Sequence, residues 1–135
     1  MIKKHNFKQL LVWQESMDLV KHVYRLTSAL PEKERFTLVS QMNREVISIP
    51  SNIAEGSGRT TEREFIRYLE IAISSSYELE TQLLLIKELY ASDVDKVLLK
   101  LDQIQLKIRA LRKKLLSDES NGVKYNFTMS KCLKV

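Results

Sequence analysis

Few residues of this chain have the type and spacing that catalysis or metal binding requires. His5 and His22 are the two histidines. Asp18 lies four residues before His22, so on a helix the two side chains would share one face and could supply two metal ligands. Because no third ligand is indicated, a solvated ion pair is the better interpretation of this spacing.

Other candidate motifs lack residues that the corresponding chemistry requires. The glycine-rich segment 56–58 has neither the lysine nor the preceding strand of a phosphate-binding loop. Cys132, the single cysteine, has no neighbouring histidine that could activate it as a nucleophile. Asp93 and Asp95 stand where a helix is expected to begin, with Ser92 or Asp93 as its cap, and acidic charge there stabilises the helix dipole. We therefore expect a protein that is not an enzyme and that holds no metal or cofactor.

The distribution of charge is more informative than its total. The net charge of +5 divides into +3 for residues 1–9, −4 for residues 10–99 and +5 for residues 100–114, with +1 in the remainder. If the two basic segments meet at one end of a bundle, they could contact phosphate without reading base sequence. Cations near a helix C-terminus also stabilise its dipole without any ligand, so both interpretations stay open. The candidate nucleic-acid-binding residues are Lys3, Lys4, Lys8, Lys107, Arg109, Arg112, Lys113 and Lys114.

The elements that would position these residues are four amphipathic helices, because apolar residues recur at alternating steps of three and four. The predicted core face of the first helix consists of Trp13, Met17, Val20, Tyr24 and Thr27, widened by Leu19, Val23 and Leu26. The second helix is expected from Thr37 to Gly56, and Gly56 and Gly58 are suitable stop signals. Its predicted core face consists of Leu38, Met42, Val46, Ile49 and Ile53.

The third and fourth helices carry uninterrupted heptads. Thr61 and Glu64 have the spacing of a capping box at the start of the third helix. Its predicted core positions are Leu69, Ala72, Ser76, Leu79, Leu83, Ile86 and Tyr90. Those of the fourth helix are Val94, Val97, Leu101, Ile104, Ile108, Leu111 and Leu115.

The composition agrees with an all-α fold, since 3 Gly and 2 Pro are too few for a turn-rich β protein. Short links between long helices predict an up-down-up-down four-helix bundle that occupies residues 1–116 as one domain. Residues 117–135 form a tail in which apolar residues alternate between Val123 and Met129. We favour an irregular segment lying on the bundle, and a strand added to a neighbouring copy is the alternative.

The second helix is apolar over more than half of its circumference. Beyond its core face it carries Phe36, Val39, Ile47, Pro50 and Ala54. Because a bundle helix rarely buries all its sides, this surplus predicts self-association, and a wide core face within one bundle is the alternative. A polar stripe from Gln41 to Arg59 is either solvated or part of a network between helices or subunits.

The sequence predicts no association with a membrane. No apolar run approaches the roughly 18 residues that a transmembrane helix needs. The first residues are charged but are not followed by the apolar stretch of a secretory signal. We therefore expect a cytoplasmic protein.

Ordered motifs run through residues 7–115. They are FKQL at 7–10, VWQ at 12–14, PEKERFTL at 31–38, SIPSNIAEG at 48–56, EF at 64–65 and YELETQL at 77–83. In this order they resemble the four-helix-bundle proteins encoded by intervening sequences of bacterial 23S rRNA genes. The match is specific because nine consecutive motif residues combine with several ordered anchors.

The resemblance implies a left-handed four-helix bundle that assembles as a homopentameric ring, and it brings no established activity. A related accessory protein of diversity-generating retroelements shares the fold and is understood to bind nucleic acid and a reverse transcriptase, which suggests nucleic-acid binding by analogy. The motif residues that could lie at an interface are Arg44, Ile47, Ser48, Pro50, Asn52, Ala54, Glu55, Gly56 and Arg59.

Two functions are therefore expected as alternatives. The first is a non-enzymatic homopentamer that binds RNA or DNA through its basic end, tolerant of base sequence. The second is a scaffold or accessory subunit that binds a partner protein, through the polar stripe or the tail, without contacting nucleic acid. A steep loss of RNA affinity with rising salt distinguishes the first from the second.

Overall fold

The structure is a computed structural model that describes residues 6–120, and within this range every regular element is a helix and no strand occurs. Three short elements precede the second long helix: 3-10 turns at Phe7–Gln9 and Glu32–Glu34, and a π-helical turn at Arg35–Val39. The four long helices are α1 (Leu11–Ser28), α2 (Ser40–Ser57), α3 (Glu62–Tyr90) and α4 (Asp95–Ser120).

Each long helix packs mainly on two others, so the four surround one core. Helix α1 packs on α2 and α4, and α3 packs on the same two helices. Lys107 of α4 reaches Glu15 near the start of α1, and Arg63 near the start of α3 reaches Glu119 at the end of α4. This arrangement is consistent with a four-helix bundle.

The heptads of α3 and α4 form the centre of the core, as predicted. All seven predicted positions of α4 and the first six of α3 are buried, and Tyr90 is half-buried. The Thr61 hydroxyl accepts a hydrogen bond from the backbone N–H of Glu64 at 3.2 Å, which confirms the predicted cap of α3. Helix α4 begins at Asp95, so the residue directly before it is the buried Val94 and not Ser92 or Asp93, which were predicted as its cap.

The face that α1 turns to the core was predicted only in part. Of the predicted positions Leu19, Val23 and Thr27 are buried, Trp13, Val20 and Leu26 are half-buried, and Met17 and Tyr24 are each 43% exposed. The residues of α1 that are buried are Val12, Ser16, Leu19, Val23 and Thr27. Two of these are polar: the Ser16 hydroxyl donates to the Val12 carbonyl oxygen at 2.7 Å, and the Thr27 hydroxyl donates to the Asn43 side chain at 3.0 Å. Such bonds allow a hydroxyl group to lie in the core. A prediction from hydrophobicity alone therefore left out Ser16 and favoured the neighbouring apolar face of α1.

The segment that precedes α2 is joined to the end of α3 by hydrogen bonds. Glu34 accepts hydrogen bonds from the Thr37 hydroxyl at 2.6 Å and from the Tyr90 hydroxyl. These two bonds lower the pKa of Glu34, and the Glu34 carboxylate raises the pKa of Tyr90. Thr37, where α2 was predicted to start, lies within the π-helical turn that precedes the regular helix.

Gly56 lies inside α2 and does not end it, which corrects its predicted role as a stop signal. The helix continues to Ser57 and Gly58 is its C-cap. A Cβ atom at position 56 would lie 2.8 Å from Cβ of Tyr68 and 2.9 Å from Cδ1 of Phe65. Glycine is therefore needed here because α3 approaches the backbone of α2 this closely. The remaining predicted core positions of α2 are buried, apart from the half-buried Leu38.

None of the helices within residues 6–120 has an apolar stretch long enough to cross a membrane. The predictions for Lys3, Lys4 and the tail segment between Val123 and Met129 concern residues outside the described range.

Candidate interaction surfaces

An open apolar groove runs between α1 and α2, and we name it the α1–α2 groove. Its lining is almost entirely apolar and consists of Trp13, Met17, Val20, Ile47, Pro50, Ser51 and Ala54. Met17 and Ile47 are each 43% exposed, whereas Pro50 is buried. The groove contains the apolar face of α1 that was predicted for the core, together with three of the motif residues predicted for an interface.

Two basic residues lie one helical turn from residues that line the α1–α2 groove. Lys21 follows Met17 and Arg44 precedes Ile47. Both basic side chains are exposed, and neither forms an ion pair with another described residue. The groove therefore has positive charge close to its apolar lining.

A second exposed apolar surface lies on α3 and α4, and we name it the α3–α4 ridge. It consists of Leu84, Leu99 and Leu106, which are 46%, 62% and 54% exposed. The depression beside Leu84 and Leu99 is also lined by Leu98 and by three acidic residues, Glu80, Asp95 and Asp102. Sequence reasoning missed Leu99 and Leu106, although their spacing of seven residues outside the core heptad was a usable signal.

Much of the polar stripe on α2 faces α3, and we name this contact line the α2–α3 seam. The hydroxyl groups of Ser48 and Ser75 share a hydrogen bond of 2.8 Å. Asn52 donates to the carbonyl oxygen and the hydroxyl of Ser48 at 2.8 and 2.9 Å. Gln82 donates to the Gln41 side chain at 3.5 Å. Of the two interpretations left open by the sequence, these residues support the network between helices of one chain.

The α2–α3 seam also brings two carboxyl groups together. Glu45 is half-buried and its carboxyl group is in hydrogen-bonding contact with that of Glu78. Burial, this hydrogen bond and the repulsion between the two charges raise the pKa of Glu45 to about 7, against the opposing effect of Arg44. Neither residue was singled out in the sequence as one of a pair across two helices.

The far end of the stripe is held by Arg59. Its guanidinium group lies 4.8 Å from the ring centroid of Tyr68 and donates to the Tyr68 hydroxyl at 2.5 Å. It also forms the predicted ion pair with Glu55, at 3.2 Å. Arg44 and Glu55 themselves are exposed, so part of the stripe remains on the surface.

Three of the basic residues predicted for nucleic-acid binding are held by carboxylates of the same chain. Lys107 binds both oxygens of Glu15 at 2.7 and 2.8 Å, and only 15% of its side chain is exposed. Arg112 binds Glu70 at 2.8 Å. Lys114 lies 3.5 Å from Asp118, whose side chain is 4% exposed.

The other predicted basic residues within the described range remain accessible. Lys113 and Lys8 are exposed and form no ion pair with a described residue. Arg109 is exposed and donates to the Tyr77 hydroxyl at 3.1 Å. Lys107, at the middle of α4, contacts Glu15, and Lys100 contacts Asp18, so the later part of α4 extends toward the start of α1. Lys113 and Lys8 therefore belong to the same end of the molecule, whereas Arg109 contacts Tyr77 at the middle of α3.

Asp18 and His22 contact each other at 3.3 Å on one face of α1, and Lys100 forms an ion pair with the same Asp18 oxygen at 3.3 Å. Burial acts to raise the pKa of Asp18, but Lys100 and His22 outweigh it and lower that pKa. Asp95 binds Lys87 at 2.9 Å. Within residues 6–120, no group of three or more His, Cys, Asp or Glu side chains is placed to hold a metal ion.

The chain is similar to a known protein family and to a solved structure. A family model described as 23S rRNA-intervening sequence protein matches residues 8–116. A solved structure of a protein with unknown function from the S23 ribosomal protein family of Bacteroides thetaiotaomicron has a TM-score of 0.60 and 23% identity, covering 78% of this chain and 95% of that chain. At this identity the likeness concerns the fold alone. No curated protein matches the chain.

Proposed function

This chain belongs to the 23S rRNA-intervening sequence protein family, and we propose that it is a non-enzymatic, self-assembling bundle whose copies form a homopentameric ring. The observation that carries this proposal is the α1–α2 groove, where Met17 and Ile47 remain 43% exposed on a continuous apolar lining. Covering such a surface is favourable, since each Å² of apolar surface removed from water contributes about 25 cal/mol.

Within each copy we propose an up-down-up-down course with a left-handed twist. Pairs across neighbouring helices support the alternating direction. Glu15 contacts Lys107 while Asp18, further along α1, contacts Lys100, which lies earlier in α4. The number of copies rests on the family resemblance, which implies a pentamer.

Light scattering on a sizing column tests the assembly of the full chain. We expect a mass near that of a pentamer at micromolar concentration, with a dissociation that depends on protein concentration. A mass equal to one chain, 15.8 kDa, at those concentrations would overturn the proposal.

We infer nucleic-acid binding as a second activity of the assembled ring, and the accessible cations Lys8, Arg109 and Lys113 favour it. Repetition of these charges around a ring would raise the local positive potential, which is how phosphate backbones are attracted without base recognition. Lys107, Arg112 and Lys114 contribute less, because carboxylates of the same chain already neutralise them.

Filter binding to a structured RNA and to duplex DNA tests this activity. We expect similar affinities for unrelated sequences and a loss of affinity as salt rises from about 50 to 200 mM. If no binding occurs at the lower salt concentration, nucleic-acid binding is refuted. Capture of a partner protein through the exposed part of the stripe, at Arg44 and Glu55, would then be the remaining function to examine.

A further inference from the structure

The two exposed apolar surfaces lie on opposite sides of the bundle. Helix α1 packs on α2 and α4, and α3 packs on the same two helices, so the α1–α2 and α3–α4 pairs are two opposite sides. The α1–α2 groove is on one side and the α3–α4 ridge is on the other. Each copy of the chain therefore carries two exposed apolar surfaces, the groove and the ridge, that face away from each other.

The two surfaces also differ in charge. Lys21 and Arg44, which form no ion pairs with described residues, lie one helical turn from the groove residues Met17 and Ile47. The depression beside Leu99 is lined by Glu80, Asp95 and Asp102, of which Asp95 is already paired with Lys87, so Glu80 and Asp102 supply its negative charge. Contact between two grooves would bring basic residues together, and contact between two ridges would bring acidic residues together, each of which is unfavourable. Groove against ridge pairs opposite charges.

We propose that the α3–α4 ridge of one copy packs into the α1–α2 groove of the next copy. The contact is heterologous, because two different surfaces of the same chain meet. Such a contact repeats from copy to copy and produces a closed ring when the rotation between neighbours closes, whereas a symmetric contact would stop at a dimer. This inference rests on the proposed self-assembly and specifies the surfaces that perform it.

Two single substitutions in the full chain separate the surfaces. Ile47→Asp disables the groove, and Leu99→Asp disables the ridge; both residues are already exposed, at 43% and 62%, so the bundle should fold. Leu89→Asp is the matched control, because Leu89 is 60% exposed on α3 but is outside both surfaces. Circular dichroism confirms folding, and light scattering gives the mass.

We expect each disabled variant alone to be a monomer and the Leu89→Asp control to match the wild type. An equimolar mixture of the two disabled variants should form a dimer and nothing larger, because one intact groove meets one intact ridge. If the Leu99→Asp variant keeps the wild-type mass, or if the mixture stays monomeric while the wild type assembles, the heterologous contact is refuted and self-assembly stands. A monomeric wild type would instead refute the self-assembly on which it rests.

Discussion

The carboxyl groups of Glu45 and Glu78 meet in hydrogen-bonding contact across the α2–α3 seam. Burial of the Glu45 carboxyl group, together with its hydrogen bond to Glu78 and the repulsion between the two charges, raises the pKa of Glu45 to about 7 from its ordinary value of 4.5. The folded chain therefore keeps the proton of this carboxyl group over a range of pH in which the unfolded chain has released it. This difference makes stability depend on pH.

We expect the free energy of unfolding to fall as pH rises from about 4.5 through about 7 and to be level above that. The direction follows because the folded state binds more protons than the unfolded state within this window. Glu78 is exposed, so solvent screening limits the loss to on the order of 1 kcal/mol. Urea denaturation at several pH values measures it. The Glu45→Gln variant should lose this slope, whereas the exposed Glu88→Gln control should retain it, and an unchanged slope in Glu45→Gln would contradict the assignment.

Replacing Gly56 by alanine should destabilise the bundle. The added methyl group would lie 2.8 Å from Cβ of Tyr68 and 2.9 Å from the ring of Phe65, so α2 and α3 must separate. Overpacking of this kind costs about 1–3 kcal/mol, which exceeds the gain of roughly 1 kcal/mol from the higher helix propensity of alanine. Gly58→Ala is the matched control, since its nearest atom would be 3.6 Å away. Chemical denaturation should show a lower midpoint for Gly56→Ala only.

Replacing Ala91 by glycine should stabilise the protein. Ala91 caps α3 with a φ of 51°, in the left-handed region that glycine adopts without steric penalty. We expect a gain of about 0.5–1 kcal/mol, reduced by the greater backbone entropy of glycine in the unfolded chain. Ala29→Gly serves as the comparison because Ala29 caps α1 with a φ of −91° and should gain nothing. A lower thermal midpoint for Ala91→Gly would be evidence against this account.

Substitutions of Lys107 and of Lys113 should have opposite effects: the first should lower stability and the second should lower RNA affinity. Lys107→Met leaves Glu15 without its partner and should lower stability by about 1 kcal/mol, with little change in RNA affinity. Lys113→Glu changes an exposed side chain without a described ion pair, so it should weaken RNA binding and leave stability unchanged. Filter binding and urea denaturation of both variants provide the comparison. Equal losses of RNA affinity in the two variants would show that the ion pair with Glu15 does not neutralise Lys107.

The sequence predicts the core faces of α3 and α4 well because each helix carries seven core positions in one uninterrupted heptad, longer than any other apolar repeat on the same helix. Helix α1 has two adjacent apolar faces, and periodicity cannot tell which one is inside. The buried face includes Ser16 and Thr27, whose hydroxyl groups are satisfied by Val12 and Asn43. Such bonds depend on the folded backbone and on a second helix, so hydrophobicity does not reveal them.

The candidate surfaces could also be predicted only in part from the sequence. The surplus apolar residues of α2, such as Ile47 and Ala54, correctly indicated an apolar face beyond the core, and this face lines the groove. The basic end was overestimated, because the carboxylate that neutralises Lys107 comes from a residue 92 positions away. A sum of charges along the chain does not include pairs between distant segments.

The close approach of Tyr68 and Phe65 to the backbone at Gly56, which we call the notch, fixes the axial register of α2 and α3. Sliding α3 by one turn, about 5.4 Å, would move the Phe65 ring from Gly56 toward Asn52, whose side chain leaves no such space. The register is therefore fixed at this notch, and Glu45, about 16 Å away along α2, is held opposite Glu78 whatever the ionisation of either group. The like charges cannot escape one another by translation of the helices, so proton uptake or rotation of the side chains must relieve them.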